Sequence, residues 1–133
     1  MTPDDARARF AEARVARLAT VSGTGQPHLV PITFALEGDT VYSAVDAKPK
    51  RSPALRRLAN VEANPQASML VDFYDDDWSR LWWARADGTA RILTSGPEAD
   101  RAATLLGERY PAFARRGPVL AVDVHRWSGW SAA

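Results

Sequence analysis

Five cations, Lys48, Lys50, Arg51, Arg56 and Arg57, fall within "KPKRSPALRR" with no acid among them. Lys48 and Lys50 are also the only lysines in the chain. Lysine is a compact point charge on a flexible stem and suits a phosphate oxygen. Ser52-Pro53 is a helix-start pair, a cap followed by a residue whose φ is already helical. The free N–H groups of that helix would favour an anion at the same place. The spacing therefore predicts an anion site at the turn into a helix. A second basic pair, Arg115 and Arg116, lies outside this stretch and is expected to take no part.

Other chemistry is sparse. The chain has no cysteine, which removes disulfides, thiolate nucleophiles and cysteine-based zinc sites. His28 and His125 are far apart and have no HExxH companion, so no metal site is expected. "GTGQPH" lacks the third glycine of a dinucleotide fingerprint and reads as a turn between strands. No nucleophile elbow or Walker loop occurs. "DFYDDD" lacks the glycine and distal glutamate of a calcium loop and reads as a solvated acidic turn. No side chain is expected to act as a catalytic nucleophile, so any reaction would rest on an organic cofactor.

The tryptophans form a second group. Trp82 and Trp83 are adjacent, and in a strand they point to opposite faces. One ring can enter the core. The other needs a cover, either a second subunit or a flat-ring ligand. Trp127 and Trp130 add aromatic surface near the C-terminus.

The elements that must position these residues are legible from pattern. "TPDD" starts a helix, with Thr2 as cap, Pro3 at the first position and Asp5 completing a capping box. Ala6, Phe10 and Ala13 supply its apolar stripe. "VARLATV" reads as a strand. In "HLVPITFAL", Val30, Ile32, Phe34 and Leu36 share one face, and Pro31 marks an edge, a bulge or a ligand-facing position. "TVYSAV" is a third strand. Leu55, Leu58 and Ala59 continue the helix after Ser52, which Asn64-Pro65 ends. "ASMLVDFY" alternates Ala67, Met69, Val71 and Phe73 against Ser68, Leu70 and Asp72. "LWWARADGTARIL" is β-prone, and Asp87-Gly88 is either a hairpin turn or a bulge in one long strand. Ala99, Ala102, Ala103, Leu106 and Tyr110 form a third helical stripe, and "VLAVDVHRW" is the last strand. Six strands joined mostly by tight turns favour antiparallel pairing, and a small barrel would remove their edges. Residues 1–133 are read as one mainly β (α+β) domain.

The order "GQPHLVPITF", "TVYSAVDAKPKRSPALRRLANVEANP", "ASMLVDFYDDDWSRLWWARADGTARI", terminal Trp resembles the pyridoxamine 5′-phosphate oxidase-like split-barrel proteins. Within them it is similar to the deazaflavin-dependent branch, whose cofactor is coenzyme F420. The resemblance runs from about Arg14 to Trp130. It implies a six-stranded antiparallel split β-barrel with short flanking helices, paired as a homodimer with cofactor sites at the interface. It also implies that Asp87-Gly88 is a bend within a long strand. Val30, Pro31, Ile32 and Thr33 would lie against the flavin-like ring. Ser43, Lys48, Lys50 and Arg51 would hold the phosphate and tail, with Arg57 an additional contact. Trp127 and Trp130 match an aromatic position that reaches the site from the partner subunit. The chain lacks the C-terminal "RLHDR"-like segment of the vitamin-B6 oxidases, so pyridoxamine phosphate is not the expected substrate.

The resulting expectation is an oxidoreductase that passes hydride from reduced F420 to a small oxidised organic acceptor. FMN is the alternative cofactor, and a non-catalytic carrier or sensor is the alternative role. Formal charge is +1, which with the acidic "DDD" argues against nucleic-acid binding. No apolar run approaches 18 residues and the N-terminus lacks a signal-peptide core, so a soluble cytoplasmic protein without membrane contact is expected.

Overall fold

The computed structural model describes residues 1–45 and 53–132. In chain order the elements are α1 (Pro3–Glu12), β1 (Ala16–Val21), β2 (Pro27–Ile32), β3 (Ala35–Glu37), β4 (Thr40–Ala44), α2 (Pro53–Ala63), β5 (Gln66–Phe73), β6 (Trp82–Leu93), α3 (Pro97–Arg109) and β7 (Val119–Ser131). The strands form one antiparallel sheet in the order β2-β1-β5-β6-β7-β4-β3. Among the described residues, no helix is long and apolar enough to cross a membrane.

The strand count corrects the six-stranded reading. "HLVPITFAL" divides at Thr33-Phe34, giving seven strands among the described residues. Side chains take the backbone groups there. The Ser43 hydroxyl donates to the Thr33 carbonyl at 2.8 Å. The Phe34 N–H donates to the Tyr110 hydroxyl at 3.1 Å, and that hydroxyl lies 2.9 Å from the Phe34 carbonyl. A strand whose polar groups bond to side chains no longer needs a neighbouring ladder. The expected closed barrel is corrected as well. The ladder ends at β2 and β3, which are consecutive in the chain and separated only by Thr33 and Phe34. The sheet must therefore curl until its two edges meet at that dipeptide, without pairing across it. Pro31, which cannot donate to a ladder, sits on edge strand β2.

The core fills the concave side. Leu18, Ile32, Phe34, Val41, Met69, Val71, Ala84, Ala86, Leu120 and Val122 are buried there together. Phe10 of α1 joins them, 4.9 Å from the Phe34 ring centroid. The capping box of α1 is present, with Asp5 N–H donating to Thr2 Oγ1 at 3.1 Å and Thr2 N–H to Asp5 Oδ2 at 3.0 Å. A second cluster of Tyr42, Ala102, Val119 and Ala121 is buried beside it. Strand β4 and the first four residues of β7 are thus buried on both faces, which explains the unbroken apolar run "VLAV". Phe73 departs from its expected place. Ala67, Met69 and Val71 are buried, but Phe73 is exposed beyond the core, and the Arg80 guanidinium lies 5.4 Å from its ring centroid.

Asp87-Gly88 lies inside one long strand. Asp87 pairs with Arg126 and Gly88 with Val124, so His125 is the extra residue of a bulge. A Cβ at Gly88 would collide with the Asp123 carbonyl, which is why glycine stands there. The acidic turn before β6 bonds to itself. Asp75 Oδ1 accepts from Asp77 N–H at 2.7 Å, and Asp77 Oδ1 accepts from Ser79 N–H at 3.1 Å.

Candidate functional site

The site begins at the seam between the two sheet edges. A cleft of about 320 Å³ opens there, lined by Thr33, Ala44, Val45, Phe113 and Arg116 among others. The chain leaves this cleft at Val45 and is next described at Pro53, the start of α2. Lys48, Lys50 and Arg51 lie between, outside the described residues. Both flanks of the cation stretch are therefore placed by the fold.

Strand geometry divides the four residues assigned to a ring. Ile32 is in the core and Val30 packs against it, while Pro31 and Thr33 are exposed. Side chains alternate along a strand, so Pro31 and Thr33 are the pair that can touch a ligand outside the sheet. Ser43 is only 4% exposed and its hydroxyl is engaged with Thr33. Its position supports the seam. Trp127 is turned inward against the core. Its ring packs edge-on against Phe10 at 5.3 Å, and its Nε1–H donates to Asp39 Oδ1 at 2.9 Å. Trp130 is 47% exposed and pairs across the ladder with Trp83. The fold thus brings Trp130, but not Trp127, to an outward surface.

Arg57 carries the most direct sign of a ligand. Its Nε atom is buried and has no hydrogen-bond partner among the described residues. Burial lowers the guanidinium's pKa. A buried donor left without a partner is costly, and native structures avoid it unless something else supplies the partner. An anionic cofactor tail fits that requirement.

Arg116 is a residue that sequence reasoning left out. The expectation treated Arg115 and Arg116 alike, but the structure separates them. Arg115 pairs with Asp100 at 2.7 Å, whereas Arg116 lines the seam cleft with Thr33 and Val45. The only local signal was a basic pair before Gly-Pro. Its approach to Thr33 depends on how α3 leads into β7.

The convex face of the sheet has two adjoining grooves. One, about 500 Å³, is lined by Leu70, Phe73, Tyr74, Trp83, Arg85 and Trp130, among others. The other, about 380 Å³, is more polar, with Asp87, Thr89, His125 and Arg126; Ser68 lines both. Trp82 and Trp83 do face opposite ways. Trp82 packs against the core with Arg9 over its ring at 4.9 Å, and both Trp82 and Trp83 line the aromatic groove. No group of three or more His, Cys, Asp or Glu side chains among the described residues is placed to hold a metal ion.

Solved structures share this architecture. A conserved hypothetical protein from Mycobacterium tuberculosis is 19% identical, with 99% of this chain and 86% of that chain covered and a TM-score of 0.80. An FAD-binding protein from Mesorhizobium loti is 19% identical over 97% of this chain and 94% of that one, with a TM-score of 0.77. HutZ, the heme storage protein from Vibrio cholerae, is 16% identical over 98% and 95%, with a TM-score of 0.72. At such identities the likeness is one of fold. No curated protein matches the sequence. The family model described as pyridoxamine 5′-phosphate oxidase, however, matches residues 2–131. With that match running nearly end to end, the chain belongs to the pyridoxamine 5′-phosphate oxidase family.

Proposed function

We propose that the protein is an oxidoreductase dependent on coenzyme F420, with FMN as the alternative cofactor, acting as a homodimer. The observation that carries this reading is Arg57, whose buried Nε has no partner among the described residues. It stands on the helix that follows Lys48, Lys50 and Arg51 in sequence. FMN carries one phosphate, whereas F420 adds a phosphodiester and glutamate carboxylates, so a cluster of five cations matches the longer anion better. When bound, reduced F420 supplies a hydride, which a small oxidised organic acceptor takes up together with a proton.

The chain's own part is to bind, orient and shield. Lys48, Lys50, Arg51 and Arg57 hold the anionic tail, and Arg116 adds charge at the seam. Pro31 and Thr33 offer the contact surface for the ring, with Val30 and Ile32 holding the strand beneath them. Trp130 faces the partner subunit. The second reading, a non-catalytic carrier, draws support from the likeness to a heme storage protein. Mixing the reduced, loaded protein with quinones, nitro compounds and tetrapyrroles separates the two, because a carrier shows no acceptor-dependent reoxidation.

The test is a side-by-side titration with F420 and FMN. We expect F420 to bind more tightly. The Lys48→Ala, Lys50→Ala double variant should lose roughly ten- to a thousandfold in affinity, since a hydrogen bond to a charged group contributes about 1.5–3 kcal/mol. The loss should shrink at high salt. Arg115→Ala, which removes only the pair with Asp100, should bind normally. Tighter binding of FMN would move the assignment to that cofactor, and binding of neither would overturn the reading.

A further inference from the structure

We propose that the polar groove on the convex face is a second ligand site, which takes a small organic carboxylate by its charged end at His125 and Arg126. It uses no residue of the seam cleft and stands whether or not a cofactor binds there.

The bulge in β7 builds the site. Val124 and Trp127 both pack toward the core. Side chains alternate along a regular strand, so a single residue should separate two that face the same way. Two stand between them here, because His125 is the extra residue of the bulge. Both His125 and Arg126 therefore turn outward, and both line the groove of about 380 Å³. Bulges re-aim side chains in this way. An imidazole and a guanidinium from consecutive positions thus reach one groove.

Charge supplies the next step. Arg126 faces Asp87 directly across the ladder, a position where opposite charges ordinarily pair. Asp87 is engaged elsewhere. Its Oδ1 accepts from the Ser68 hydroxyl at 2.8 Å, and its Oδ2 accepts from Arg85 Nε at 2.9 Å. Arg85 offsets its charge, and Arg126 has no hydrogen bond or ion pair among the described residues. Asp87 is the one carboxylate among the described lining residues. Asp123, whose charge also reaches His125, is held by Arg91 and Thr40. His125 Nε2 lies 2.7 Å from Thr89 Oγ1. When Thr89 donates that bond, Nδ1 carries the ring proton.

The remaining wall selects the ligand. Ala19 and Val21 present small apolar side chains, and Gly88 presents none. A short hydrocarbon body can lie there out of water. The planar fork of Arg126 matches both oxygens of a carboxylate, and His125 Nδ1–H adds a further donor. An inorganic anion would meet the cations but leave the apolar surface wet.

Hexanoate is the probe, with hexylamine, hexanol and inorganic phosphate as controls. NMR of the whole protein reads the two imidazole rings and saturation transfer to the ligand's methyl group. Hexanoate should bind saturably, moving His125 and leaving His28 in place. Hexylamine and hexanol should do neither, and phosphate should not displace hexanoate. Arg126→Gln should weaken hexanoate roughly ten- to a hundredfold, as expected for lost hydrogen bonds to a charged group. Arg126→Lys, which keeps the charge and loses the fork, should fall between. Position 126 is exposed, so both variants should keep the wild-type thermal midpoint. Trp83→Ala, altered in the aromatic groove, should bind hexanoate as wild type.

The proposal fails if hexanoate leaves His125 unmoved, or if Arg126→Gln binds as wild type. Competition by hexanol would reduce the groove to an apolar patch, and competition by phosphate to an unselective anion surface; either result overturns the carboxylate assignment. Loss of binding in Trp83→Ala would place the ligand in the neighbouring groove and overturn it as well.

Discussion

Tyr42 illustrates how a single residue of this fold is tuned. It is buried between β4 and α3, and its hydroxyl donates to Glu98 Oε2 at 2.8 Å. Arg91 completes the group, pairing with Glu98 at 2.7 Å and with Asp123 at 2.6 Å. Burial first, and the bond to Glu98 second, push the Tyr42 pKa up to about 12. The proton is thus held more firmly in the folded chain than in the unfolded one. The associated stability is fully present below the ordinary tyrosine value near 10 and is lost as pH rises from there through about 12. Absorbance at 295 nm should show one tyrosine still protonated at pH 11 in the native protein. Tyr42→Phe should remove that late step and flatten the alkaline fall in stability. An unshifted tyrosine in wild type would contradict this assignment.

At the scale of elements, two irregularities shape the sheet. One is the seam at Thr33-Phe34, where Ser43 and Tyr110 take the backbone bonds. The periodicity of "HLVPITFAL" was legible, and its faces came out as read. The break was not, because its cause is a tyrosine 76 residues away in sequence. The other irregularity is the bulge opposite Gly88. Pattern left a hairpin and a bulge equally open, and the close approach of the Asp123 carbonyl shows why glycine serves the bulge. Gly88→Ala should destabilise the fold by roughly 1–3 kcal/mol, since the colliding atom is backbone and cannot rotate away. A fall in the urea midpoint with an unchanged slope is the expected result. An unchanged midpoint would mean that β6 and β7 separate there at no cost.

For the whole molecule, the convex face is the feature still needing a cover. Trp130 is 47% exposed and Leu70 38%, around a groove that also contains Trp83. A second copy of the chain is the proposed cover, and aromatic burial of ~150–250 Å² per ring would contribute a few kcal/mol. Sedimentation should find a dimer at micromolar concentration. Trp83→Ala should shift it toward monomer. Trp82→Ala should instead cost roughly 3–5 kcal/mol of stability, because that ring packs on the core. A wild-type monomer at that concentration would remove the composite site. Equal global destabilisation by both variants would remove the division of roles between the two rings.

What the sequence determined by itself is what local physics controls. The α1 cap, the helix between Pro53 and Asn64, the opposed faces of Trp82 and Trp83, and the cation cluster all follow from neighbours within a few residues. The family likeness added the long bent strand to that reading. Only the tertiary structure decided the division of the second strand, the inward turn of Trp127 and the arrival of Arg116 at the seam. Each of these depends on contacts between residues far apart in the chain. A period of two or 3.6 residues says which face a side chain takes, but not what stands across from it.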